Sequence, residues 1–179
     1  AGWYRILAGV SARFDDGQHL EPALLVMPDT AIEGRAWPTK TLDAGDTSRI
    51  YPVTCILYAY TGKPWWESCW AAHLELQKDT TLATRDDMLP RPSPDGLGFV
   101  AQPCPRNVAL HKYREMVRLS ASTFGITEKE ISKLTLPGLR VYAANEAYVC
   151  GVPREIRRSI GNWMSEQKRR MRTQGGTAR

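Results

Sequence analysis

The sequence predicts an α+β fold, mostly helical, with one small three-stranded antiparallel sheet. Three observations carry this. Apolar residues recur at helical spacing near both ends of the chain and in its middle. Between residues 22 and 53 they fall instead into short runs divided by turn signals. A length of 179 residues, with 42% hydrophobic and 24% charged content, suits a single globular domain over residues 1–179.

Composition sets bounds on function. The net charge of +5 and a pI near 9.1 permit a polyanionic partner without requiring one. The four cysteines, Cys55, Cys69, Cys104 and Cys150, lie far apart with no C-x-x-C pair. No metal and no cofactor are therefore expected. The thiols read as reduced and mostly buried, so an intracellular protein is expected, nuclear in a eukaryote and otherwise cytoplasmic. No signal peptide and no bilayer-long apolar run occurs, so no membrane partner is expected.

The elements follow in order. Residues 1–20 read as helix, with Trp3, Ile6, Leu7 and Val10 as its stripe and Phe14 extending it. This helix has no N-cap, as expected of the C-terminal part of a longer protein. Within it, A-G-V-S-A-R-F-D-D places Arg13 three residues before Asp16. A guanidinium binds phosphate through two parallel donors, and a carboxylate nearby can hold it in place. A surface Arg–Asp pair is the structural alternative.

Residues 22–53 read as the sheet. Ala23–Met27 makes a first strand, Ala31–Trp37 a second and Ile50–Val53 a third. Lys40 sits in T-K-T on the connection between the second and third, and alone reads as an exposed hairpin lysine. Trp65 to Leu74 reads as a helix, with Trp66, Trp70 and Leu74 one turn apart, favouring core packing over base stacking. Residues 79–107 are rich in proline and glycine and read as a long connection with one strand near Leu97–Val100. Asn107 is expected to cap a helix carrying Ala109, Leu110, Tyr113, Met116, Val117 and Leu119. Thr127-Glu128-Lys129-Glu130 reads as a capping box.

The stretch L-P-G-L-R-V-Y-A-A-N-E-A-Y-V-C-G-V-P-R-E-I-R-R-S-I-G-N-W, residues 136–163, is the most informative. Leu139, Tyr142, Ala143, Ala147 and Val149-Cys150 form a stripe near helical spacing. Gly151 stands where a helix end needs a left-handed residue, and Pro153 opens a second helix with Ile156 and Ile160 on one face. By itself this is a helical hairpin with a basic outer face.

In order along the chain, these residues resemble the catalytic domain of tyrosine recombinases, the phage-integrase-like family. In that family an arginine opens an R-x-x-E or R-x-x-D helix start, as Arg13 does here. A lysine lies on the hairpin between the second and third strands, at the place of Lys40. An H-x-x-R motif begins a helix followed by a G-V-P turn, as Arg140, Gly151 and Pro153 do here. A histidine or tryptophan follows, at Trp163 or its neighbour Asn162. The resemblance implies a mostly helical fold acting on duplex DNA in site-specific recombination or integration of a mobile element, without metal. Two arginines would neutralise the scissile phosphate, the lysine would protonate the leaving oxygen, and a tyrosine would attack.

This chain departs from the pattern twice. Pro137 stands where the motif histidine belongs. The nucleophile's place falls near Arg172, and no tyrosine occurs in residues 164–179. Tyr142 and Tyr148, on the Arg140 helix, read as packing residues. Lys168, Arg169, Arg170, Arg172 and Arg179 form a basic tail instead, able to contact DNA phosphate or simply to stay solvated. Three readings stand open. One is a degenerate domain that binds DNA through Arg13, Lys40, Arg140, Lys168, Arg169 and Arg172 and does not cleave. Another is an active recombinase whose tyrosine comes in trans or was truncated. The third is a structural or protein-interaction domain on the same fold, self-association included.

Overall fold

A computed structural model describes residues 2–28, 31–36, 51–56 and 65–160. The elements are α1 (Gly2–Gly9), α2 (Phe14–Gln18), a 3-10 turn (Pro22–Leu24), β1 (Ala31–Ala36) and β2 (Tyr51–Ile56). Then come α3 (Trp66–Gln77), α4 (Thr80–Ala83), β3 (Pro90–Pro92) and β4 (Phe99–Pro103). Helices α5 (Arg106–Phe124), α6 (Glu128–Lys133), α7 (Leu136–Val149) and α8 (Arg154–Ile160) complete the described chain.

The core forms around α1. Trp3, Tyr4, Ile6 and Leu7 are all buried, so this short helix spends most of its surface inside. It packs along α7 and also touches α2, α3 and β2. Trp3 meets Tyr4 and Phe14 edge-on, with ring centres 5.1 and 5.3 Å apart. The Tyr4 hydroxyl donates to the Ala109 carbonyl at 2.7 Å, tying α1 to α5. Burial and the neighbouring Cys104 and Tyr113 raise the Tyr4 pKa, which keeps that donor protonated.

The expected helix over residues 1–20 is in fact two. After Gly9 the Ala12 N–H bonds to the Leu7 carbonyl and the Ser11 N–H to the Ala8 carbonyl, a Schellman ending. Ser11 takes the left-handed position there, with φ of 51°. The same ending closes α7 at Gly151, φ 73°, where glycine pays no Cβ penalty. A buried serine holds that conformation only because the packing on both sides of it demands the turn.

The sheet differs from expectation too. β1 and β2 pair antiparallel in register Ala31↔Ile56 to Ala36↔Tyr51. The segment expected as the first strand, residues 23–27, supplies only the isolated bridge Val26↔Glu33, beside a second at Leu20↔Ala36. Pro22 lacks an N–H for a ladder and opens a 3-10 turn instead. A second two-stranded pair, β3–β4, replaces the single strand expected near 97–100. It is held by Gln18, whose buried amide donates to the Cys104 carbonyl at 3.0 Å and accepts from Leu89 N–H at 3.0 Å.

Among the later helices, α5 is preceded by Pro105, not capped by Asn107, which lies inside the helix. The Thr127 capping box forms as read: Thr127 Oγ1 accepts from Glu130 N–H, and the Glu130 carboxylate accepts from Thr127 N–H. Trp65, Trp66 and Trp70 are half-buried against the core. Tyr142, Tyr148, Val149 and Ile156 are exposed, so they are not the packing residues their spacing indicated. Tyr148 instead carries the Arg157 guanidinium 4.7 Å above its ring. Of the cysteines, Cys55 and Cys104 are buried, Cys69 is half-buried and Cys150 is exposed.

Candidate functional site

Helix α7 begins after Thr135, and Pro137 falls in its first turn, where a missing N–H costs nothing. Leu136 and Ala144 are both buried, at 3% and 4% exposure. Arg140 lies midway between them, one turn from each, on the stripe that α7 turns inward. That placement explains why a charged residue is half-buried here.

Arg13 is positioned from the other side. It follows the Ser11 turn and is the extended N-cap residue of α2. Asp16 reaches back, its carboxylate accepting from the Arg13 main-chain N–H at 3.3 Å. The Arg140 pKa is depressed, first by burial and then by the Arg13 charge, with Asp16 opposing both. The guanidinium stays protonated at any ordinary pH. Arg13 and Asp16 thus both act on Arg140 from an element remote from it in sequence. Paired guanidiniums of this kind can also accept an oxyanion.

Pro137 is exposed, three residues before Arg140, and has no side-chain donor to offer. Lys40, Trp163, Lys168, Arg169, Arg172 and Arg179 lie outside the described residues. Of the residues named from sequence, Arg13 and Asp16 are the described ones whose charges act on Arg140.

Sequence reading missed a buried polar group on α3 and another just past the end of α4. His73 and Arg85 are each 7% exposed. Arg85 donates to the carbonyls of Leu82, at 2.5 Å, and Met88, at 3.4 Å. His73 packs against Trp70, ring centres 5.1 Å apart. Its pKa is lowered, mainly by burial and then by Arg85, against a hydrogen bond to the Pro22 main chain. A lone histidine in a tryptophan-rich helix carries no signal of this in sequence.

A pH effect follows. His73 is neutral in the fold, while the unfolded chain takes up a proton below about pH 6.5. The unfolded state then binds more protons, so stability falls as pH drops from 6.5 toward the folded pKa, and this contribution levels off below it. Urea midpoints measured between pH 7 and pH 5 are expected to decline, and His73→Phe to flatten that decline. An unchanged slope in the variant would assign the effect elsewhere.

Three of the four cysteines are poor nucleophiles. Burial, with Cys69 nearby, pushes the Cys55 thiol up to about 11, and burial also raises Cys69 and Cys104. Among the described residues no group of His, Cys, Asp and Glu could hold a metal ion. No helix among them is long and apolar enough to cross a membrane. No protein-family model, curated protein or solved structure matches the chain.

Proposed function

We propose that this chain is a DNA-binding domain, similar to the catalytic domain of a tyrosine recombinase, that holds backbone phosphate without cutting the strand. The observation that supports the reading is that the Arg13 charge acts on the half-buried Arg140, two guanidiniums from the positions expected to bind phosphate. Asp16 already offsets part of the repulsion between the two, and a phosphate diester, with two anionic oxygens to share, suits paired guanidiniums. The modest positive net charge of +5 is compatible with the same partner. Pro137 and the absence of a tyrosine near Arg172 favour binding over cleavage.

The experiment is a salt titration of duplex DNA binding. Affinity is expected to fall steeply as salt rises, with little sequence preference. Arg140→Gln and Arg13→Gln should each weaken binding roughly 10-fold or more and lower the salt slope by about one ion. Arg179→Gln should do less. Equal effects at all three positions would mean a diffuse basic surface, and salt-insensitive or absent binding would favour a protein-interaction domain.

A further inference from the structure

A cavity of about 670 Å³ opens among α1, α5 and α7, beside Trp65. Its aromatic walls are Tyr4, Trp65, Tyr113 and Tyr142, and its charged groups are Arg5 and Glu146. Arg13, Asp16 and Arg140 are not among its lining residues, so it is separate from the candidate phosphate site. Its volume lies within the roughly 300–1,000 Å³ typical of small-molecule sites.

One wall is set in place. The Tyr4 hydroxyl is held by the Ala109 carbonyl, and its ring lies 5.2 Å from that of Tyr113. Opposite in character is Arg5, an exposed residue whose guanidinium carbon stands 5.9 Å from the Trp65 ring centre. That contact places a positive charge at one aromatic face of the cavity.

We infer that the cavity binds a small planar aromatic anion. Its ring system stacks among the tyrosines and Trp65, and its anionic group pairs with Arg5. Planarity follows from the aromatic walls, which favour offset or edge-on contact with another ring. The anionic group follows from Arg5, which also disfavours a cationic ligand at the Trp65 face. Glu146, half-buried, accepts from an amino or hydroxyl donor on the ring rather than meeting the anionic group. Ala143, with its small side chain, leaves the space open on the α7 side.

The test uses anilinonaphthalene sulfonate as the aromatic anion and phenylnaphthylamine as its uncharged counterpart, titrated by calorimetry and fluorescence against the full chain. One sulfonate is expected to bind per chain, more tightly than the amine. Arg5→Gln should weaken the sulfonate roughly 10-fold and leave the amine unchanged. Ala143→Met should abolish binding of both by filling the cavity. Tyr142→Ala, at an exposed position that the fold does not need, should weaken both if Ala143→Met fails to fold. DNA affinity should stay unchanged in Arg5→Gln, which separates this site from the phosphate site. Absent sulfonate binding, several sulfonates per chain, or equal sulfonate affinity in wild type and Arg5→Gln would overturn the inference.

Discussion

Incubated with a suicide substrate nicked beside the cleavage site, the 179-residue chain is expected to form no covalent DNA–protein adduct. A phenolate is the group that makes a stable yet reversible phosphodiester, and none stands near residue 172. Arginine stays protonated and cannot attack. Ser165 and Thr173 are close in sequence and lie outside the described residues, and an aliphatic hydroxyl is a weak nucleophile without a base to activate it. Pro137, in the first turn of α7, cannot supply the hydrogen bond of the family's histidine. Loss of such a partner alone costs roughly 10²–10³-fold, and loss of the nucleophile abolishes turnover. Arg172→Tyr is therefore not expected to restore cleavage while Pro137 remains. A shifted, protease-sensitive band would overturn the expectation, and the linked residue would then be mapped, beginning with Tyr142 and Tyr148. Tyr142 is exposed at the cavity and Tyr148 lies under Arg157.

Leu7→Ala is expected to destabilise the fold by about 2–5 kcal/mol, the usual range for emptying a buried leucine site. Leu7 is 1% exposed at the centre of the core. Its partner is Gly17, where an added Cβ would lie 2.1 Å from Leu7 Cδ2. Gly17→Ala would ordinarily favour α2 by up to about 1 kcal/mol. Here the collision decides the sign, because Leu7 is enclosed and cannot swing aside, and overpacking costs about 1–3 kcal/mol. The double variant should be less destabilised than the sum of the two singles, since the new methyl group fills part of the space that Leu7 leaves. Urea denaturation of all four proteins measures this coupling. Strict additivity would show that the two side chains do not meet.

The residues of the candidate site were visible in the sequence, but their relation was not. Arg140 was found from the spacing of its neighbours and Arg13 from its acidic partner. Nothing local states that α1 packs along α7, the helix that carries Arg140. The cavity was equally hidden, because Tyr142 and Leu139 form a helical stripe whether that stripe meets a core or an opening.

What the sequence by itself determined is chemistry contained within one turn. The Thr127 capping box, the left-handed Gly151 and the start of α8 after Pro153 each follow from a few adjacent residues. Their backbone bonds close locally, so no distant contact is needed to decide them. Tertiary structure alone decided the Ser11 turn, the loss of the first expected strand beyond Pro22, the burial of His73 and Arg85, and the exposure of Tyr148 and Val149. Periodicity tells which side chains share a face. Only the packing of one element on another tells which face is covered, and that packing is strong enough to hold a serine left-handed and to bury an arginine beside a histidine.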